Sequence, residues 1–290
     1  MSAMSNGVSL MIKSRSHHVP RLTFPISRLV RFIIVIGLVV IAGTLFFLFP
    51  RDDGTLAEIR QRGTLRVGLD ASFPPFETID EQGQIIGLDV DIARAVAADL
   101  GVELELVNIG FDGLYDALLA RRADLVISGL PYDPRWTQDV AYTRNYFNAG
   151  QVLVAPADET MIDGPDDIAG RTVAVEWGSQ ADMEGRRLEK EIADVTLQRY
   201  PSAAEALDAV LNRQVDVAIV DGVSAVAAAS RGLRPVTYLT DEWYAAAVHI
   251  DSRELWDAVN QTLTRLDESG EMAKMQAKWL ENEEWRMKKE

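Results

Sequence analysis

The feature that most constrains the fold is an alternation of strand-like and helical patterns through most of the chain. Residues 64–70 (TLRVGLD) form an apolar run typical of a strand. Residues 89–101 (DVDIARAVAADLG) carry apolar side chains at helical spacing, with a glycine where the helix should stop. The strand-like pattern recurs at residues 123–129 (ADLVISG) and 215–222 (VDVAIVDG), and each of these runs follows a helical pattern. Such alternation predicts an α/β fold with parallel sheets and crossover helices.

A second constraint is the uncharged segment FIIVIGLVVIAGTLFFLF, residues 32–49. As a helix it would span about 27 Å, close to the roughly 30 Å hydrocarbon core of a bilayer. A cleaved signal peptide is the alternative, but this apolar run exceeds the usual length of roughly 7–15 residues and a long basic leader precedes it. Since residues 1–31 hold five basic residues and no acid, we predict an uncleaved signal anchor with a cytoplasmic amino terminus and an extracytoplasmic body.

The composition of the body excludes several classes of protein. Residues 51–290 carry 24 basic against 44 acidic residues, a net charge of −20 that disfavours nucleic-acid binding. The chain has no cysteine, which excludes disulfides, thiolate metal sites and lipid attachment through an amino-terminal cysteine. His249 is the only histidine of the body, too few for a multi-histidine metal site. We therefore expect no catalytic residue, no metal and no cofactor.

Six stretches of sequence carry a resemblance to a known family. In order they are LAEIRQRGTLRVGLDASFPPFE, IIGLDVDIARAVAADLG, FDGLYDALLARRADLVISG, DVAYTRNYF, VDVAIVDG and LWDAVNQTLTRLDESGEMAKMQAKWL. Together they resemble the extracytoplasmic solute-binding proteins of the polar amino-acid type, which serve ABC importers. The resemblance covers residues 56–280 and implies a two-lobed periplasmic-binding-protein fold. Two αβ lobes, joined by a two-strand hinge, would enclose a small ligand.

With the predicted transmembrane anchor, this resemblance implies a division of the chain into seven parts. These are the cytoplasmic leader 1–31, the anchor 32–49, a tether 50–62, the first lobe 63–148, the second lobe 149–244, the return of the first lobe 245–282 and a polar tail 283–290. The acidic residues Asp89 and Asp91, at the start of a predicted helix, are expected to cap its free N–H groups.

The resemblance also implies ligand-binding positions in the first lobe. Asp70 and Phe73 correspond to residues that meet the side-chain end of the ligand, whereas Phe76 is assigned to the core. Phe111 lies at a position that lines the cleft in relatives, with core packing as the alternative. Ser128 and Gly129, at the end of the strand that leads into a dense turn, are also predicted to bind the ligand.

That turn departs from the family pattern. Relatives usually have Gly-x-Thr-x-Thr-x-x-Arg, in which the second threonine and the arginine hold the α-carboxylate of the ligand. Here Asp133 stands at the second threonine, Trp136 at the arginine, and Arg135 one residue early. An aspartate there would repel a carboxylate by about 1 to 4 kcal/mol. Two possibilities remain: Arg135 swings in to meet the ligand, or Asp133 caps the turn and pairs with Arg135 at the surface.

In the second lobe, the resemblance places Ser179 and Gln180 where backbone N–H groups at a helix start meet the ligand. Glu176 and Trp177 fall at cleft-edge positions, with a solvated rim as the alternative. Asp221 falls where relatives bind the ligand's ammonium group. Acids together with aromatic faces favour a cation.

The sequence therefore predicts a non-enzymatic, membrane-tethered binding protein of an ABC importer, with a cationic amino acid or related amine favoured as ligand. Its expected partners are a small molecule, an ABC permease and the membrane through residues 32–49. A receptor subunit of a sensor system is one alternative. A dehydratase-type enzyme on the same fold is another, for which Glu176 is the only glutamate we would nominate.

Overall fold

The structure, a computed structural model, describes residues 35–40 and 53–280. Residues 35–40 are helical, and the rest of the predicted anchor 32–49 lies outside the described residues, as do the leader 1–31 and the tail 283–290. Within the described ranges, no helix combines the length and apolar character needed to cross a bilayer. The part of the chain from residue 51 onward forms one compact unit, described below.

Each lobe of this unit is built on one five-stranded sheet. The first-lobe sheet has the order β5-β1-β6-β13-β7, with β1 (Thr64–Leu69), β5 (Glu103–Asn108), β6 (Leu125–Val126), β7 (Val140–Asn148) and β13 (Trp243–His249). The second-lobe sheet has the order β10-β9-β11-β8-β12, with β8 (Gln151–Pro156), β9 (Thr172–Glu176), β10 (Thr196–Tyr200), β11 (Val217–Asp221) and β12 (Leu233–Tyr238). A small sheet projects from the first lobe and consists of β2 (Ser72–Phe73), β3 (Glu77–Ile79) and β4 (Ile85–Ile86).

Helices cover the sheets and connect the parallel strands. They are α1 (Thr55–Arg62), α2 (Leu88–Leu100), α3 (Leu114–Leu119), α4 (Gln180–Glu191), α5 (Ala203–Leu211), α6 (Gly222–Ala229), α7 (Arg253–Glu268) and α8 (Glu271–Leu280). Their apolar faces pack on strands such as β1 and β9, in which Leu65, Val67, Val173 and Val175 are fully buried.

The alternation predicts parallel sheets, and this holds only for the strands that crossover helices join. In the first lobe β1, β5 and β6 are parallel, whereas β13 runs antiparallel to both β6 and β7. The second lobe repeats this plan, because β9, β10 and β11 are parallel and β8 is antiparallel to β11 and β12. The antiparallel strands are those next to the two passages between lobes, where no crossover helix sets the strand direction.

Two short segments cross between the lobes side by side, one after β7 and one before β13. The side chain of Asn148 ties them together: its Oδ1 accepts hydrogen bonds from the N–H groups of Gly150 and Glu242, each at 2.9 Å. Its Nδ2 donates to Asp241 Oδ1 at 2.8 Å. A Cβ on Gly150 would lie 2.0 Å from the carbonyl oxygen of Thr240, so the segments can approach this closely only at a glycine.

Two boundaries differ from those expected from the sequence. Trp243 and Tyr244, assigned to the second lobe, pair with Asn148 and Phe147 in the sheet of the first lobe. The segment 50–62, expected as a tether, belongs to the first lobe from Asp53 onward. In α1, Leu56 and Ile59 are buried in the first-lobe core.

Candidate functional site

A cleft of about 650 Å³ lies between the lobes, beside the two crossing segments. It receives side chains from the loop after β2, from the starts of α4, α5 and α6, and from the beginning of β13. Its polar and aromatic lining consists of Phe73, Phe76, Gln151, Glu176, Ser179, Gln180, Ser202, Asp221, Ser224, Glu242, Tyr244 and Trp279. Both lobes thus face one space large enough for a small solute.

The second-lobe wall is built from two strand-to-helix junctions. At the first junction, β9 ends at Glu176. Gly178, with φ of +75°, then turns the chain into α4. Ser179 caps that helix by accepting a hydrogen bond from the N–H of Asp182. The first polar residues of the helix, Ser179 and Gln180, are thereby held at the cleft.

Asp221 occupies the second junction, between β11 and α6. Its carboxylate accepts hydrogen bonds from the N–H of Ser224 at 2.9 Å and from the Ser224 hydroxyl at 2.8 Å. The next residue, Gly222, packs so closely on the crossing segment that a Cβ would lie 2.3 Å from the carbonyl oxygen of Asn148. Asp221 is therefore fixed at the hinge end of the cleft with lone pairs available for a further donor.

The charged residues that line the cleft are all acidic. Three carboxylates line it, those of Glu176, Asp221 and Glu242, and none of the lining residues, all of which the structure describes, is arginine, lysine or histidine. Burial raises the pKa of the Tyr244 phenol, and the Glu242 and Asp221 carboxylates raise it further. Two of the three acids thus act on one point of the cleft wall.

The first-lobe wall presents the ring of Phe73, which is 39% exposed. This ring stacks on the fully buried Phe76, with centroids 5.3 Å apart, and meets Tyr244 edge-on. Gly129, with φ of +49°, lies beneath it, and a Cβ there would lie 2.6 Å from the Phe73 ring. Glycine at this position therefore allows Phe73 to keep its place.

Asp70, Phe111 and Ser128 come together next to this wall but do not line the cleft. Asp70 Oδ2 accepts a hydrogen bond from the N–H of Phe111 at 2.8 Å, and the N–H of Asp70 donates to Ser128 Oγ at 3.0 Å. Phe111 is largely exposed rather than packed in the core. In this arrangement Asp70 orders the loops at the end of β1.

The prediction that Asp89 and Asp91 cap α2 is wrong. The N-cap is Gly87, and Asp91 instead pairs with Arg94 and Lys278. Asp89 is fully buried; its Oδ2 accepts hydrogen bonds from the N–H of Gly129 at 2.6 Å and from Tyr146 Oη at 2.9 Å. The tight approach of Gly87 to the backbone of Phe76 turns the helix start inward, which directs Asp89 to the core.

Glu77 is the buried partner of Asp89, and sequence reasoning missed it. Its Oε1 accepts a hydrogen bond from the Ser128 hydroxyl at 2.6 Å. Glu77 Oε2 and Asp89 Oδ1 are buried and have no hydrogen-bond partner among the described residues. Burial and the Asp89 carboxylate together raise the pKa of Glu77, which favours a protonated Glu77 beside Asp89, with one proton for the pair.

The unusual turn resolves in favour of the second possibility raised above. Asp133 caps the short 3₁₀ turn Pro134–Trp136 by accepting from the N–H of Arg135, whose Nη2 lies 2.6 Å from Asp133 Oδ2. The Arg135 side chain is 83% exposed, and its guanidinium holds the pKa of Asp133 below the usual value. Trp136 stacks on Tyr115 with ring centroids 4.5 Å apart. None of these turn residues lines the cleft.

Of the remaining predicted residues, Trp177 lies outside the cleft lining and is 74% exposed. Sequence reasoning did not find Gln151, Glu242 and Tyr244, which line the cleft beside the crossing segments. The available signal was their position next to the two lobe boundaries.

The fold and the cleft define a two-lobed solute-binding protein. Residues 65–282 match the sequence profile of the bacterial extracellular solute-binding proteins, family 3, and the chain belongs to that family. It is thus a solute-binding protein of the amino-acid ABC-importer type.

Two relatives illustrate the range within the family. The arginine-binding extracellular protein ArtP of Bacillus subtilis strain 168 is 29% identical over 225 residues, which cover 76% of this chain and 87% of ArtP. The L-cystine-binding protein TcyJ of Escherichia coli K12 is 26% identical over 235 residues, covering 79% of this chain and 87% of TcyJ.

Two solved structures share the fold. The ancestral cationic amino acid solute-binding protein AncCDT-1 is 30% identical with a TM-score of 0.59, covering 78% of this chain and 99% of the other. The ancestral cyclohexadienyl dehydratase AncCDT-3 is 28% identical with a TM-score of 0.66, covering 78% of this chain and 96% of the other. The fold therefore occurs in a binding protein and in an enzyme.

Proposed function

We propose that the chain is a membrane-tethered, extracytoplasmic binding protein that captures a cationic amino acid or related amine for an ABC permease. The charge of the cleft carries the proposal. Glu176, Asp221 and Glu242 line it without a basic side chain among the lining residues the structure describes. Carboxylates in a partly dry cleft favour ammonium or guanidinium groups, which form charge-assisted hydrogen bonds with them.

Two of the similar proteins support a cationic ligand, whereas TcyJ is an L-cystine-binding protein. ArtP is an arginine-binding protein, and AncCDT-1 is a cationic amino acid solute-binding protein. The aromatic ring of Phe73, exposed beside the carboxylates, suits the same class of ligand because a cation is attracted to an aromatic face.

The hinge provides the means of capture. The Asn148 side chain makes hydrogen bonds to both crossing segments and so keeps them together. A ligand that contacts Phe73 on one lobe and Asp221 on the other favours the closed arrangement, since it interacts with both only when they approach.

Isothermal titration of the full-length chain tests the ligand class. We expect L-arginine or L-lysine to bind and L-glutamate not to bind. The Asp221→Asn variant should lose at least about tenfold in affinity, because a neutral amide removes one charge-assisted bond. Asp166→Asn, at an exposed position of the second lobe outside the cleft, is the matched control. Tight binding of glutamate with no response to any cation would contradict the proposal.

Protease accessibility tests the tether. If residues 32–49 anchor the chain with its body outside, the chain sediments with membranes after alkaline carbonate washing. Protease added to spheroplasts then digests the body. Protection of the body from that protease would place it in the cytoplasm and refute the proposed topology.

A dehydratase remains the second candidate, since AncCDT-3 shares the fold. Glu176 would be its acid, at the end of β9 in the cleft. Incubation with prephenate-like and arogenate-like substrates, followed by detection of aromatic products, decides the matter. Turnover that Glu176→Gln abolishes would establish an enzyme.

A further inference from the structure

We infer that the preferred ligand of the cleft is an amine or guanidine that carries no carboxylate, such as a diamine or a guanidino-amine. This rests on the proposed function, a cation-binding cleft, and specifies its ligand class. An amino acid has to bring a carboxylate into the same cleft as its cationic groups, so the question is which protein group could neutralise that carboxylate.

None of the cleft-lining residues in the described part of the chain carries a positive charge. The three carboxylates of the cleft have no basic neighbour among the lining residues, and Glu242 and Asp221 both act on the Tyr244 phenol at the hinge end. A ligand carboxylate placed there would be repelled by these carboxylates, whereas a dication would be attracted by at least two of them. The charge pattern thus favours ligands with more positive and less negative charge.

The basic residue of the first-lobe turn is already engaged. Arg135 Nε lies 3.0 Å from both oxygens of Asp133, and its Nη2 lies 2.6 Å from Oδ2. This fork occupies the face of the guanidinium that would otherwise grip a carboxylate in the same two-point way. Arg135 would have to give up Asp133 before it could serve a ligand.

The start of α4 is also partly occupied from within the protein. Asp182 is fully buried beneath it, and Asp182 Oδ2 accepts a hydrogen bond from the N–H of Gly178 at 3.2 Å. The N–H of Asp182 is bound to Ser179 Oγ. The charge of Asp182 is itself balanced by Arg186 at 2.6 Å and Arg199 at 2.9 Å. The N–H groups of Gly178 and Asp182 are therefore already bound within the protein and are not free to meet a ligand carboxylate.

Matched pairs of ligands that differ only in the carboxylate test the inference. Full-length protein is titrated calorimetrically with agmatine against L-arginine and with cadaverine against L-lysine. We expect each amine to bind at least about tenfold more tightly than its parent amino acid. L-argininamide, which keeps the bulk of arginine but has no carboxylate charge, should bind within about threefold of agmatine.

The outcomes separate this inference from the proposed function. If arginine or lysine binds as tightly as its amine, the inference fails while a cation-binding cleft stands. If no cation binds and glutamate does, both fail. If argininamide binds as weakly as arginine, size rather than charge excludes the amino acid, and the electrostatic inference is wrong.

A variant examines the role of the turn. Asp133→Thr removes the partner of Arg135, and we expect arginine to gain at least about threefold in affinity relative to agmatine. Asp158→Asn, which breaks the exposed pair between Asp158 and Arg213, is the matched control and should leave the ratio unchanged. An unchanged ratio in Asp133→Thr would show that Asp133 does not withhold Arg135 from the ligand.

Discussion

Replacement of Glu77 by glutamine tests the shared proton in the first-lobe core. The side chain of Glu77 is fully buried, and its Oε2 has no hydrogen-bond partner among the described residues. Burial also raises the pKa of Asp89, but Asp89 receives two hydrogen bonds from Gly129 and Tyr146, so the negative charge rests on Asp89 and the proton on Glu77. Glutamine at position 77 can donate in place of the protonated acid while it still accepts from Ser128.

The sign of the effect follows from the raised pKa of Glu77. In the unfolded chain a glutamate releases its proton above about pH 4.3, whereas the folded protein keeps it. The stabilising contribution of Glu77 is therefore fully present below that pH and declines as the pH rises toward the raised folded-state pKa. The free energy of unfolding falls by about 1.4 kcal/mol per pH unit for one retained proton. Glutamine has no proton to lose.

We expect Glu77→Gln to be less stable than wild type near pH 5, by about 1 kcal/mol, because its second amide N–H gains no acceptor. Between pH 6 and pH 8 the variant should gain about 3 kcal/mol relative to wild type, so that the two pH profiles cross.

Urea denaturation of full-length protein at several pH values, followed by tryptophan fluorescence, provides the free energies. Glu103→Gln, on the exposed side of β5, is the matched control and should follow wild type at every pH. A difference between Glu77→Gln and wild type that stays constant from pH 6 to pH 8 would show that both acids are ionised in the folded protein and refute the shared proton.

Three further changes probe the hinge, the turn and the second lobe. Gly150→Ala should lower the free energy of unfolding by about 2 kcal/mol, measured by urea denaturation, because the new Cβ meets the Thr240 carbonyl oxygen at 2.0 Å. Trp136→Ala should lower the free energy of unfolding by about 1 to 2 kcal/mol in the same assay, because it removes the ring that stacks on Tyr115. Arg186 and Arg199 lower the pKa of buried Asp182 to about 2. Asp182→Asn should therefore lower the free energy of unfolding by about 2 kcal/mol at pH 7. That deficit should shrink as the pH falls from 4 to 2, as an acid titration of unfolding would show.

The sequence predicted the two αβ lobes well because hydrophobic periodicity reports local structure. It predicted strand direction less well, since β8 and β13 have the same periodicity whether they run parallel or antiparallel to their neighbours. The docking of α1 on the first lobe was also missed, because the spacing of Leu56 and Ile59 indicates a helical face but not what covers it.

The site shows the same limit. Asp221 could be placed at the cleft because the stretch VDVAIVDG resembles the family, and the structure adds that Asp221 caps α6. The pairing of Glu77 with Asp89 could not be predicted from sequence. An acid such as Asp89 near a helix start normally caps the helix, and here the inward turn at Gly87 directs it to the core instead. For the turn, the sequence left two arrangements open, because Asp133 and Arg135 are close enough along the chain to form an ion pair without a ligand.

The acid pair and the cleft are nevertheless connected through one strand end. Asp89 holds the N–H of Gly129, and Gly129 leaves the room that the Phe73 ring needs to reach the cleft. The Ser128 hydroxyl donates a hydrogen bond to Glu77 and accepts one from the N–H of Asp70. A single retained proton lets both acids accept these donors without mutual repulsion, and the first-lobe wall of the cleft is built on the backbone they position.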